Sequence, residues 1–167
     1  MKALFTRHSV RQYKNQPVEP EKIELLLKAA MAAPTAGNQR EWEFIVVTDP
    51  ELLKKVAKAS PYAGCAAKAP LAIIPVANMN KARFPENWEQ DLGAAMENIL
   101  IEAVHLGLGG VWLGIAPLED RMIPLMELFD LPQGVYPYAI ASIGYPLTDE
   151  LNDGRDYDLS LVHYNSY

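Results

Sequence analysis

A stretch near the middle of the chain, residues 86–106, places the strongest constraint on the fold. Its apolar side chains recur at three- and four-residue steps, the spacing of an α-helix. One face carries Leu92, Ala95, Met96, Ile99, Leu100, Ala103 and Leu106, and another carries Ala94, Ile101, Val104 and Leu108. A helix that is apolar around most of its girth is buried in a core or in a subunit interface. A chain of 167 residues is short for enclosing such a helix, which favours an interface over a core covered by the chain itself.

The rest of the pattern predicts one α+β domain over residues 1–167, with helices on both faces of a sheet. No repeat, low-complexity segment or linker divides the chain. The tail, residues 147–167, has polar turns and then several apolar side chains, so we expect it to dock on another surface, with an added edge strand as one form. Helices are predicted at residues 20–33, 49–59 and 118–129, and strands at residues 41–48, 70–77, 111–115 and 136–145.

Charge and composition exclude several classes of protein. The net charge of −6 argues against a general nucleic-acid binder, which needs a basic surface. No apolar run reaches the roughly 18–20 residues that span a bilayer. Residues 1–11 lack the apolar stretch of a signal peptide, and Cys65 is the only cysteine, so no intrachain disulfide forms. We therefore expect a cytoplasmic protein that binds neither membranes nor nucleic acid.

The glycine-rich residues 107–114 resemble a dinucleotide fingerprint only superficially. That fingerprint runs from strand to glycines to helix, whereas here the predicted order is helix, glycines, strand. We interpret Gly107, Gly109 and Gly110 as the end of the long helix. Gly114 ends a predicted strand, a position that often marks close approach of the backbone to a ligand.

Metal and nucleophile chemistry find little support in the sequence. Glu102 and His105 form a single Glu-x-x-His pair, where di-iron bundles use two, so we predict no metal site. The serines lack a G-x-S-x-G elbow, and Cys65 reads as a packed thiol. No catalytic side chain is assigned.

A basic cluster opens the chain: Arg7, Arg11 and Lys14 surround His8 and precede any acidic residue. A solvated surface is the ordinary explanation for such a cluster. If the segment turns outward, however, the guanidinium groups could converge on one anion, because arginine offers a fork that matches phosphate.

Five stretches, in order along the chain, resemble the nitroreductase family of FMN proteins. Residues 7–13 (RHSVRQY) resemble its opening Arg-x-Ser-x-Arg/Lys-x-aromatic motif, and residues 34–39 (PTAGNQ) with Trp42 resemble its Pro-Ser/Thr-x-x-Asn-x-Gln-Pro-Trp motif, with a departure at residues 40–41. Residues 91–98 (DLGAAMEN) resemble the start of its long central helix. The later strands correspond to residues 111–114 and 143–146, and the tail of short members to residues 154–157 and 162–165.

The resemblance implies a nitroreductase-like fold: a four- to five-stranded, mainly antiparallel sheet flanked by helices, in an intertwined homodimer. Two FMN sites would lie at the interface, and the tail would dock on the partner subunit. Phosphate and ribityl contacts would come from Arg7, His8, Ser9 and Arg155, and Arg11 would lie near the flavin N1/O2 edge. The partner would supply Pro34, Thr35, Ala36 and Asn38, and backbone amides around Leu113 and Gly114 would face N5 or O4.

The implied activity is ping-pong oxidoreduction. NADH or NADPH would reduce FMN and leave, and an acceptor such as a nitroaromatic or a quinone would then enter the same face. A cation near N1 and O2 stabilises the negative charge of reduced flavin, which agrees with the place implied for Arg11. Larger members carry an extra helical excursion over this face; here residues 79–88 are short, with Phe84 and Trp88 the large aromatic residues. Two alternatives stay open: a flavin-storage protein of the same fold, and a dimerisation module without cofactor.

Overall fold

The computed structural model describes residues 2–148 and 157–167. These residues form five α-helices: α1 (Lys2–Thr6), α2 (Pro20–Met31), α3 (Pro50–Val56), α4 (Trp88–His105) and α5 (Glu119–Leu128). They also form five strands: β1 (Trp42–Val47), β2 (Leu71–Asn78), β3 (Gly109–Gly114), β4 (Val135–Pro137) and β5 (Ala139–Gly144). The sheet order is β1-β2-β5-β3, β4 also pairs with β2, and all of these pairings are antiparallel. The predicted α+β fold and antiparallel sheet are confirmed.

Helices cover both faces of the sheet, as predicted. Strand β2 alternates between them: Ile73 packs toward α2 and α4, and Ile74 packs toward α3 and α5. β2 and β5 are buried along nearly their whole length, since both faces are covered. The start of α3 is capped by Asp49, whose side chain accepts from the Leu52 amide at 2.8 Å.

Helix α4 lies across the sheet and is enclosed on one side only. Leu92, Met96 and Ile99 are fully buried against α2 and the sheet. Ala94, Ile101 and Val104 stay half-buried. The single chain therefore covers one apolar face of this helix and leaves part of the other for a further partner.

The predicted helix end at residues 107–110 is correct for Gly107 and wrong for Gly109 and Gly110. Gly107 has φ +74°, and the Leu108 amide bonds back to the Ala103 carbonyl at 2.8 Å, which completes a Schellman cap. The cap needs only one glycine, so Gly109 and Gly110 begin β3 instead.

The predicted strand at residues 136–145 is divided in two at Tyr138. Pro75 in β2 and Pro137 in β4 both lack an N–H, so the ladder is interrupted where these two strands run side by side. The Tyr138 amide still donates to the Pro75 carbonyl at 3.0 Å, which keeps β4 and β5 on the same neighbour.

The end of the chain, residues 157–167, is not packed into the core. These residues are exposed and hold one 3-10 turn, Leu159–Leu161, but no strand. The edge strand considered for the tail does not form within the described part of this chain. None of the helices in the described ranges is long and apolar enough to cross a membrane.

Candidate functional site

The basic cluster lies on a segment that we call the strap, residues 7–14. The Val10 amide donates to the Gly110 carbonyl at 3.0 Å, and the Lys14 amide donates to the Tyr145 carbonyl at 2.8 Å. The buried Tyr13 hydroxyl lies 2.9 Å from the Ser142 carbonyl. Backbone and side-chain bonds therefore fix the strap beside β3 and β5 from its middle to its C-terminal end.

Two glycines allow the strap to dock this closely. A Cβ on Gly109 would lie 2.6 Å from Cγ2 of Val10, and a Cβ on Gly144 would lie 3.0 Å from Cδ1 of Tyr13. A larger residue at either position would clash with the strap unless the strap moved. This is the physical reason for Gly109 in β3, and the nearest signal in the sequence was the glycine run itself.

Three of the predicted ligands lie together on the strap. A cavity of about 230 Å³ is lined by His8, Ser9, Val10, Arg11, Gln12 and Thr148. Nδ1 of His8 donates to the Thr6 carbonyl at 3.1 Å, which fixes the ring. The side chains of His8, Ser9 and Arg11 suit an anionic, hydrogen-bonding ligand.

Arg7 sits at the start of the strap and contacts α4. Its Nε lies 3.2 Å from Oε1 of Glu97, and the Arg7 side chain is about three-quarters buried. The structure thus places Arg7 beside the central helix rather than among the residues that line the cavity. Arg155, the other predicted phosphate ligand, lies outside the described residues.

The second predicted motif forms a loop, residues 35–40, which we call the flavin loop after its implied role. The Ala36 amide lies 3.0 Å from both carboxylate oxygens of Asp91, and Nε2 of Gln39 donates to Asp91 Oδ2 at 2.8 Å. Oε1 of Gln39 accepts from the amides of Arg83 and Phe84, at 2.9 Å each. The loop is therefore held on one side by α4 and on the other by residues 83–84.

Glycine is required at the centre of this loop. Gly37 has φ +52°, and a Cβ there would lie 2.4 Å from Cε2 of Phe84. Phe84 is thus part of the loop's packing, while Trp88 turns toward the sheet and meets Tyr138 edge-on at 5.9 Å between ring centroids. Of the two large aromatic residues in the stretch 79–88, Phe84 is the one that lies against the loop.

The end of β3 opens onto free space. Leu113 is buried, whereas a Cβ on Gly114 would meet no atom of the described residues within 4 Å. The Gly114 carbonyl accepts from Nη1 of Arg121 at 3.1 Å. The backbone at Gly114 is therefore open to a ligand, and the ligand contact expected there stays a prediction.

The strap and the flavin loop attach to different faces of α4. Six residues separate Asp91, which holds the loop, from Glu97, which holds Arg7. This spacing corresponds to a rise of about 9 Å and a rotation of about 120° around the helix axis. The two predicted halves of the site are thus anchored on separate sides of the central helix within one chain.

Asp91 and Gln39 are site residues for which the sequence analysis predicts no role. Gln39 and Asp91 both lie inside the quoted motifs. Their role is to hold the loop, and it depends on a contact between residues some 50 positions apart in the chain. Cys65 is a half-buried free thiol, in agreement with the sequence interpretation. No three His, Cys, Asp or Glu side chains gather as a metal site in the ranges 2–148 and 157–167.

Comparison with known proteins identifies the family. Residues 4–61 and 61–145 match the pattern of the Nitroreductase family. A protein of Archaeoglobus fulgidus, named provisionally as an NADH dehydrogenase/NAD(P)H nitroreductase, is 44% identical over 147 residues, covering 87% of this chain and 84% of that protein.

Solved structures agree in fold over the whole chain. A Clostridium acetobutylicum protein, named provisionally as an NADH oxidase, has a TM-score of 0.95 and 46% identity, covering 99% of each chain. An FMN-dependent nitroreductase of Clostridium difficile has a TM-score of 0.91 and 30% identity, covering 100% of each chain. The predicted fold and the resemblance to the family are thus confirmed, and the chain belongs to the nitroreductase family.

Proposed function

We propose that this protein is an FMN-dependent NAD(P)H oxidoreductase that works as a homodimer. The observation that carries the proposal is the cavity on the strap, where His8, Ser9 and Arg11 converge in a chain of net charge −6. A local concentration of guanidinium, imidazole and hydroxyl groups suits a phosphate-bearing cofactor. The FMN dependence of the Clostridium difficile protein and the NAD(P)H activity in the name of the Archaeoglobus protein support the same assignment.

The strap residues would hold the phosphate end and the pyrimidine edge of FMN. Arg7, His8, Ser9 and Arg155 would contact phosphate and ribityl oxygens, and Arg11 would lie at the N1/O2 edge. A cation at that edge favours the reduced, negatively charged cofactor. The backbone around Leu113 and Gly114 would face the N5/O4 edge, and the open space beside Gly114 supports this assignment.

The flavin loop would complete the site from the partner subunit. The contacts would come from Pro34, Thr35, Ala36 and Asn38. The Ala36 amide is anchored on a different face of α4 from Arg7, so a single chain presents the two halves apart. The Ala36 amide is bonded to Asp91, so Ala36 would contact the flavin by packing rather than by donating that N–H. The exposed tail and the half-buried face of α4 supply apolar surface for the dimer.

The protein side chains would bind and orient, and FMN would supply hydride chemistry when bound. No side chain is assigned as a nucleophile or a strong acid. We infer ping-pong kinetics with NADH or NADPH as the donor and a nitroaromatic, a quinone or a similar acceptor at one shared face. Residues 1–167 would act as a single domain.

Anaerobic mixing of the flavin-loaded protein with NADH, and separately with NADPH, tests this function. We expect the flavin absorbance to bleach on a catalytic timescale with at least one donor, and to return when a nitroaromatic or a quinone is added. Bound flavin that neither donor reduces would favour the storage protein instead. A screen of acceptors by the rate of reoxidation then identifies the acceptor class.

A further inference from the structure

One carboxyl group is fully buried within the described residues and has no part in the proposed function. Glu41 stands immediately before β1, and its carbonyl accepts from the Asn78 amide at 2.8 Å, which fixes its position. The residue is 0% exposed, and neither oxygen of its carboxyl group accepts a hydrogen bond from the described part of the chain. A buried, ionised carboxylate without a donor costs several kcal/mol, so such a group is held protonated.

The titratable group that faces Glu41 is Asp91 at the start of α4. Burial raises the pKa of Glu41, and the neighbouring Asp91 carboxylate raises it further, whereas the amide of Gln39 acts in the opposite direction. Both Asp91 oxygens already accept from the Ala36 amide, and one also accepts from Gln39. With Asp91 committed as an acceptor, the proton of this pair belongs on Glu41.

We propose that Glu41 is a positioning residue: protonated Glu41 donates to Asp91 and thereby holds Asp91 against the amides of the flavin loop. The expected effect on FMN binding rests on the proposed function. The carboxyl pair itself rests on burial and contacts alone. Asp91 is the only side chain whose contacts join α4 to both Ala36 and Gln39 in the described residues. Whatever moves Asp91 therefore loosens the loop.

Ionisation of Glu41 would place two negative charges side by side in a buried site. A group whose pKa is raised on folding stabilises the folded state fully below its ordinary range, near 4.5 for Glu41, and that contribution is lost as the pH rises through the raised value. Stability should therefore fall as the pH rises between these two values, and FMN affinity should fall above the raised value, where Glu41 ionises in the folded protein. The change has the opposite direction from that of an ion-paired carboxylate.

Glu41→Gln separates the charge from the shape. Glutamine keeps the size and can donate an N–H to Asp91, but it cannot ionise. We expect the ratio of FMN dissociation constants, wild type over Glu41→Gln, to rise by up to about tenfold per pH unit above the raised pKa of Glu41. Titration of the FMN phosphate cancels in this ratio. The matched control is Glu43→Gln, two residues on, where the carboxylate is half-buried and pairs with Lys81; its ratio to wild type should stay constant with pH.

Urea unfolding of the same three proteins at several pH values measures how the carboxyl pair affects the free energy of unfolding, without any flavin. The wild type should lose stability relative to Glu41→Gln as the pH rises, and infrared spectra should show a protonated carboxyl band that Glu41→Gln lacks. Identical pH profiles of stability in wild type and Glu41→Gln, or no such band, would overturn the inference. If the pair behaves as expected but no variant binds FMN, the proposed function fails and the carboxyl pair stands.

Discussion

Replacing Arg7 with alanine should weaken FMN binding by about 1.5–3 kcal/mol, or roughly ten- to a hundredfold in the dissociation constant. Arg7 opens the strap on which His8, Ser9 and Arg11 line the cavity. A charge-assisted bond to phosphate is stronger than a neutral one, and its loss leaves the anion less well paired. Fluorescence titration of the apoprotein with FMN measures the change. We expect the same direction and size for Arg155→Ala.

The ion pair between Arg7 and Glu97 provides the control for this variant. Glu97→Gln removes the carboxylate partner but keeps the guanidinium. If Arg7 binds phosphate, FMN affinity in Glu97→Gln should be unchanged or higher, since the competing anion is gone. Equal losses in Arg7→Ala and Glu97→Gln would show that Arg7 acts only by joining the strap to α4. Unchanged affinity in both Arg7→Ala and Arg155→Ala would remove the phosphate-site assignment.

Replacing Leu161 with glutamate should dissociate the dimer and release FMN. Leu161 is 76% exposed within one chain, so in a monomer this change would alter stability by no more than about 0.5 kcal/mol. Burial of a leucine side chain on a partner is worth about 1.5–3 kcal/mol, and a buried unpaired charge would cost more. We therefore expect the dimer dissociation constant to rise by at least about tenfold. Sedimentation at several protein concentrations measures it.

Ile123→Glu serves as the matched control, because it makes the same kind of change at a residue that is 48% exposed and lies in α5, outside the tail. It should leave both the dimer and the flavin content unchanged. A Leu161→Glu protein with wild-type mass and wild-type flavin content would show that the tail does not dock on the partner.

Elements with strong periodicity could be predicted from the sequence, because their environment follows from their own spacing. The long helix was expected at residues 86–106 and occupies Trp88–His105, and the strands at residues 41–48 and 70–77 are present with small shifts at their ends. Gly109 was misassigned because its role depends on Val10, about a hundred residues earlier in the chain. The break at Tyr138 depends in the same way on Pro75 in a neighbouring strand.

The candidate site also contains residues that could be predicted from the sequence and residues that could not. The cluster on the strap was visible from spacing, and the structure brings His8, Ser9 and Arg11 onto one cavity. The residues that hold the flavin loop were not recognised, since Asp91 and Gln39 become partners only when α4 packs beneath the loop. Glu41 carried no local signal, because its significance is its complete burial beside a second carboxylate.

Light scattering combined with flavin absorbance on the purified protein tests the central claim most directly. The account predicts a yellow species of twice the chain mass with one FMN per chain, which loses FMN when it dissociates. A colourless protein that does not bind added FMN, or a flavin-loaded species with the mass of a single chain, would contradict it.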